Sequence, residues 1–189
     1  EAAMKLARKQ SLEKYGENRF EIITALASFH GRTIGAISAT GQDKVRTGFD
    51  PMVPGFRYVP FADTAALRTE VTPQVCAIML EPVQGEGGVN MPPPGYLKAV
   101  RELCDANNLL LIYDEVQVGC GRTGSLWAYQ QEGVVPDIMT LAKALADSLL
   151  ALVTVSRDAA GDPDRAGEIG VKAKEASHAI HAMVQNLNQ

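Results

Sequence analysis

The chain has 189 residues, 46% hydrophobic and 21% charged, with a net charge of −4, an ordinary composition for a globular domain with enough bulk to bury a core. The acid excess and the lack of a basic patch give no reason to expect nucleic acid as a partner. No apolar run approaches the roughly 18 residues of a membrane span, and no signal-peptide pattern opens the chain. Three cysteines, Cys76, Cys104 and Cys120, stand far apart with no CxxC pair. They point to reduced thiols in a cytoplasmic protein rather than to a disulfide framework or a zinc site, and no metal is expected.

Residues 1–15 read as a helix with Ala3, Leu6, Ala7 and Leu12 as its apolar stripe and Lys5, Arg8, Lys9 and Glu13 opposite. Gly16-Glu17-Asn18 ends it. Residues 20–26 form a β-prone run that stops at Ser28-Phe29-His30-Gly31-Arg32-Thr33. A small-residue segment follows over residues 34–39, then a loop marked by Gly48, Pro51, Pro54, Gly55 and Pro60, with residues 56–59 as a short strand. Residues 62–71 predict a short helix capped by Asp63 or Thr64. Residues 75–80 predict a buried strand closed by Glu81-Pro82, followed by the glycine-rich turn Gln84-Gly85-Glu86-Gly87-Gly88.

Pro92-Pro93-Pro94-Gly95 is a rigid entry to a helix over residues 96–107, where Leu97, Val100, Leu103 and Cys104 recur at helical spacing. The apolar run 109–113 stops abruptly at Asp114-Glu115 and gives way to Gly119-Cys120-Gly121-Arg122-Thr123-Gly124. A run of that kind suits a strand buried on both faces, as in a parallel sheet covered by helices. Ligands of open α/β sheets bind beyond the carboxyl ends of the strands, so Asp114 and Gln117 would face a site. Residues 126–131 read as a short helix, and residues 138–141 as the strand before Lys143. Strands alternating with helices argue for a doubly wound α/β sheet with right-handed crossovers.

Lys143 lies 29 residues after Asp114. An acid at one strand end and a lysine after the next strand are the two groups a pyridoxal phosphate enzyme needs, the lysine to bind the cofactor covalently and the acid to keep its pyridine nitrogen protonated. Taken singly, such an acid is as readily a cap or a loop salt bridge, and such a lysine a snorkelling side chain. The surrounding residues add specificity. Tyr113-Asp114-Glu115-Val116-Gln117, Gly121-Arg122-Thr123-Gly124 and Pro136-Asp137-Ile138-Met139-Thr140-Leu141-Ala142-Lys143 resemble the class III (ornithine-type) aminotransferases, with the acetylornithine branch nearest. Ser28-Phe29-His30-Gly31-Arg32-Thr33 and Glu81-Pro82-Val83-Gln84-Gly85-Glu86-Gly87-Gly88-Val89 fit the same family, and the resemblance covers about residues 1–145.

The resemblance implies the large cofactor domain of the aspartate-aminotransferase type (fold type I), an incomplete and mostly parallel sheet flanked by helices. Residues 1–155 would be a partial domain for pyridoxal 5′-phosphate, and residues 156–189 a divergent loop and helix of unknown role. It implies further that Lys143 holds the cofactor and carries the proton, that Asp114 pairs with the ring nitrogen, and that Gln117 bonds the ring hydroxyl. Val116 and Phe29 would pack on opposite faces of the ring. Arg32 would grip a substrate carboxylate, with Glu81 and Glu86 on the substrate side.

The implied reaction transfers an amino group from N-acetylornithine or a related ω-amine to 2-oxoglutarate, in a homodimer of the full-length chain. Ornithine, succinylornithine and 4-aminobutyrate remain alternatives within the class. From another class comes a non-catalytic remnant, inactive alone. A nucleotide-binding domain is disfavoured by the lack of a GxGxxG or GxxxxGK[ST] sequence after any strand.

The pattern departs from the family in three places. The phosphate-gripping turn that the family places before its first helix here is absent from the chain, the family's C-terminal domain is missing, and Ala146-Asp147-Ser148-Leu149-Leu150-Ala151 stands where a glycine-rich turn is expected. Further on, residues 151–155 suit a strand and 171–186 a helix, where His178 and His181 form a solvated pair rather than a metal site. One codon choice for this stretch from Ala146 to Ala151, read one nucleotide out of phase, spells Gly-Gly-Leu-Pro-Ala-Gly-Ala, which makes a shift of reading frame the expectation. Sequencing the coding DNA tests it, and codons that do not spell the glycine-rich turn in another phase exclude it.

Overall fold

The computed structural model describes residues 1–141. Lys143, the glycine-free stretch after Leu145, the later strand and helix, and His178 with His181 lie outside the described residues. The elements in chain order are α1 (Ala2–Tyr15), β1 (Glu21–Ala25), α2 (Ile34–Ala39), α3 (Asp43–Arg46), β2 (Phe56–Val59), α4 (Thr64–Glu70), β3 (Val75–Leu80), α5 (Tyr96–Asn107), β4 (Leu110–Asp114), a 3-10 turn (Ala128–Gln131) and β5 (Ile138–Thr140). The five strands form one parallel sheet in the order β2-β1-β3-β4-β5. Among the described residues, no helix is long and apolar enough to cross a membrane.

Strand periodicity divides the core into two layers. Ile23, Val59, Ile78, Leu80, Leu111 and Tyr113 pack on one face with Leu67 of α4 and with Leu97, Val100 and Leu103 of α5. Ile22, Ala77, Met79, Ile112 and Ile138 face the other way, against Ala3, Met4 and Ala7 of α1 and Ala39 of α2. All six residues of β3 are buried, as a central strand of a sheet covered on both sides requires. From β1 the chain winds outward to β2 and then returns past β1 to β3. Because right-handed crossovers in opposite directions lie on opposite faces, α2 packs on one side and α4 and α5 on the other.

Three elements differ from the sequence expectation. Helix α1 buries Ala3, Met4, Ala7 and Ser11, whereas Leu6 and Leu12 are 42% and 47% exposed. The stripe is turned because small side chains let the helix approach the sheet closely at Ala77, a contact that leucines would hold apart. The segment 34–39, whose composition gave no periodicity, is a helix, with the Thr33 hydroxyl accepting a hydrogen bond from the Ala36 N–H. Residues 126–131 shorten to a single 3-10 turn.

Local caps and side-chain clamps set the remaining boundaries. Asp63 caps α4 by accepting from Ala66 N–H at 2.9 Å, and α5 ends at Asn108, whose φ of 52° is the left-handed conformation that stops a helix. Asp137 precedes β5. Its carboxylate accepts from Arg101 Nη1 and from Leu111 N–H, both at 2.7 Å, so β5 enters the sheet tied to α5 and β4. Replacing Asp63 by Ala is expected to lower stability by about 1 kcal/mol, measured as a shift of the urea midpoint, and replacement by Asn by less. An unchanged midpoint in Asp63→Ala would show that the cap does not hold α4.

Candidate active site

The side chains that the sequence singled out gather at the carboxyl edge of the sheet, next to the place where the winding reverses between β1 and β3. That reversal opens a crevice, because the loops leaving the two strands depart in different directions. Beyond β1, the chain passes through Ser28, whose buried hydroxyl accepts from Gly41 N–H at 3.0 Å, and reaches Phe29 and His30. Beyond β3 stands Glu81, only 3% exposed. Its carboxylate accepts from Phe29 N–H at 3.0 Å and from Gly85 N–H at 3.4 Å, joining the Phe29 turn to the glycine-rich loop.

Asp114 ends β4, and each of its oxygens is engaged. Oδ2 lies 2.8 Å from His30 Nδ1. Oδ1 accepts from the Thr140 hydroxyl at 2.8 Å and from Val116 N–H at 3.2 Å. Burial pushes this carboxyl up, but the hydrogen bond with His30, together with those from Thr140 and Val116, outweighs it and holds Asp114 below the ordinary carboxylate range. Glu81 goes the other way. Burial raises it, and Phe29 N–H, His30 and Gly85 N–H offset that only in part, while the charge on Asp114 adds to the rise. Glu115 is also raised by burial, and it accepts from Ala128 N–H at 2.7 Å and Tyr129 N–H at 2.9 Å, anchoring the 3-10 turn.

Gln117 reaches over the glycine-rich loop, so that a Cβ at Gly85 would collide with its carboxamide oxygen. At Gly87 a Cβ would strike the carbonyl oxygen of Ala27, which fixes this loop backbone against backbone on the end of β1. Val116 is 47% exposed on the outer side of the turn after Asp114. Phe29 is half-buried, and the exposed Arg32 sets its guanidinium carbon 5.1 Å from the centre of the Phe29 ring. Glu86 accepts from Gln42 Nε2 at 2.6 Å and lies 3.8 Å from Lys44 Nζ. The structure thus joins Phe29 to Glu81, and through Gly85 to Gln117, with Asp114 alongside. Glu86 and Arg32 are at the outer rim, and Lys143 lies outside the described residues.

Sequence reasoning gave no role to His30, Thr140 or Gln42. His30 was in view inside its motif, and Thr140 three residues before Lys143. Neither type carries a signal until the fold brings it to Asp114.

A buried carboxylate that stays charged needs a positively charged or proton-bearing group facing it. Among the described residues, no lysine or arginine pairs with Asp114, and its two oxygens retain acceptor capacity beyond the three donors. That donor set fits the protonated nitrogen of a pyridine ring. The parallel sheet flanked by helices is that of the fold type I enzymes that use pyridoxal 5′-phosphate, the fold of the solved transaminases it superposes on.

The family model described as aminotransferase class-III matches residues 1–169, and the chain belongs to that family, whose members are pyridoxal phosphate-dependent transaminases. It is 60% identical over 145 residues to an acetylornithine aminotransferase of Caldanaerobacter subterraneus, covering 77% of this chain and 37% of the relative. The acetylornithine aminotransferase of Methanocaldococcus jannaschii is 52% identical over 145 residues, covering 77% and 36%. A solved ornithine aminotransferase from Toxoplasma gondii, with pyridoxal phosphate in partial occupancy at its active site, superposes with a TM-score of 0.73 at 40% identity, covering 78% of this chain and 35% of that one. The chain therefore spans little more than a third of the length of the relatives it matches.

Depression of the Asp114 carboxyl gives a signed expectation for stability. A carboxyl depressed in the folded state adds stability that is present above its unfolded value, about 3.9, and is lost as the pH falls through the folded value. Asp114→Asn is expected to lower the urea midpoint at about pH 7 and to lower it progressively less towards about pH 3. Glu81 has the opposite sign, since its contribution is full below about 4.3 and is lost as the pH rises through its folded value. The difference between Glu81→Gln and wild type should therefore move in the variant's favour as the pH rises. Parallel pH profiles for both variants would contradict the assignment.

Proposed function

We propose that these residues form the ring-nitrogen side of the active site of an aminotransferase that moves an amino group from N-acetylornithine, or a related ω-amine, to 2-oxoglutarate. The observation that carries the reading is the buried Asp114 carboxylate, held below its ordinary range by donors from three stretches of chain. Identity of 60% to an acetylornithine aminotransferase supports the choice of substrate. When bound, pyridoxal phosphate supplies an electron-withdrawing ring that stabilises negative charge at the substrate carbon bearing the reacting amine.

The chain's own residues divide the remaining work. Asp114 keeps a proton on the ring nitrogen. Gln117 offers its carboxamide to the ring hydroxyl, and Phe29 and Val116 supply apolar surface for the two faces. Lys143 would hold the cofactor covalently and move the proton at the substrate carbon bearing the reacting amine. Arg32 provides the planar fork that suits a carboxylate. Glu86 lines the substrate side from the rim, and Glu81 serves the same side by fixing Phe29 and Gly85. The working protein is a homodimer of a longer chain, and the thiols Cys76, Cys104 and Cys120, none of them in a disulfide, suit the reducing cytoplasm. Alone, these 189 residues do not complete a turnover.

Titration of the purified chain with pyridoxal phosphate, followed by absorbance before and after borohydride, tests this reading. The expected result is a visible band in wild type, fixed by reduction to Lys143 and absent from Lys143→Ala. A chain that gives no band, or the same band in both proteins, keeps its family's residues without their chemistry and is a non-catalytic remnant. Assays of amino transfer to 2-oxoglutarate from N-acetylornithine, ornithine, succinylornithine and 4-aminobutyrate by the longer protein separate the substrates.

A further inference from the structure

The imidazole of His30 is entirely buried, and its two nitrogens have contrasting surroundings. Nδ1 is 2.8 Å from Asp114 Oδ2, while Nε2 is buried without a hydrogen-bond partner. The backbone is fixed as well: His30 N–H donates to the Thr40 hydroxyl at 3.0 Å, and that hydroxyl donates to the Ala36 carbonyl at 2.9 Å. A charged carboxylate only accepts, so the proton between the two side chains sits on Nδ1. Nε2 then carries a bare lone pair, because an unpaired buried acceptor is better tolerated than an unpaired N–H donor. The acids facing the ring from the sheet are Asp114 of β4 and Glu81 after β3, and Glu81 spends its oxygens on Phe29 and Gly85 N–H.

We infer that His30 is a positioning residue for the cofactor site: its Nδ1–H holds Oδ2 of Asp114 while Thr140 and Val116 hold Oδ1, leaving the carboxylate one orientation towards the ring nitrogen. The inference rests on the reading that Asp114 faces that nitrogen. His30 itself does not touch the cofactor. His30 acts only by denying the carboxylate other rotamers and by supplying a donor that water would otherwise provide.

The tautomer is observable without any cofactor. With three histidines in the chain, nitrogen-15 NMR of the imidazoles resolves His30, assigned by its loss in His30→Asn. Near neutral pH the ring is expected to carry its proton on Nδ1 alone. In Asp114→Asn the amide oxygen stays with Thr140 and Val116, its NH₂ turns to His30, and the proton is expected to move to Nε2. A wild-type ring protonated at Nε2, or averaging between tautomers, overturns the proposal, as does a tautomer unchanged in Asp114→Asn. This arm succeeds or fails whether or not the chain takes up pyridoxal phosphate.

The second arm compares two residues of equal size. Asparagine places an N–H where Nδ1 stood, and leucine fills the same space without a donor. Pyridoxal phosphate affinity, read from the absorbance titration, is expected to fall about tenfold or more in His30→Leu and to be largely rescued in His30→Asn. Equal losses in both would assign His30 to packing alone and overturn the positioning role.

Discussion

A carboxylate withdrawn from water at the edge of a sheet remains charged only if donors replace the hydration it has lost. Asp114 obtains its donors from His30 beyond β1, from Val116 just after β4 and from Thr140 at the end of β5. No two of these groups are close in sequence except Asp114 and Val116. The charge at the centre of the site is thus a property of the assembled sheet, and nearly every element has a part in it. Helix α5 and Arg101 hold Asp137, Asp137 starts β5, and β5 delivers Thr140.

The same sheet explains why acids of one chemical type behave differently. Asp114 faces three donors and is depressed. Glu81 and Glu115 accept only backbone N–H groups, in surroundings whose burial outweighs them, and are raised. Their work is mechanical. Glu81 binds the Phe29 turn to the glycine-rich loop, and Glu115 pins the 3-10 turn. Close backbone contact at Gly87 completes the join between the β1 and β3 loops, leaving the aromatic ring of Phe29, the Gln117 amide and the Asp114 carboxylate on one rigid rim.

Much of this was legible in the residues. Strand β3 and helix α5 have the boundaries that their apolar runs and flanking turns predict, because contiguous burial and helical spacing are strong local signals. Asp114 and Glu81 were visible as acids that stop strands. The orientation of α1 was not, because hydrophobicity favours Leu6 and Leu12 while the contact favours the small side chains Ala3 and Ala7. Helix α2 was hidden for a related reason: six residues, one of them glycine, carry too little periodicity to announce a helix. His30 escaped notice because its meaning depends on a partner 84 positions away, which only the parallel pairing of β1, β3 and β4 brings within reach.

The pairing of Asp114 with Thr140 across β4 and β5 is also a matter of alignment. Sliding β5 by one residue would turn the Thr140 side chain to the opposite face of the sheet, and Asp114 would be left with a buried oxygen lacking that donor. A misaligned sheet therefore carries an electrostatic penalty that no hydrophobic repacking removes. Asp114 thus acts during folding as a proofreader of strand alignment, because the donors that keep it charged in the finished sheet are lost in a misaligned one.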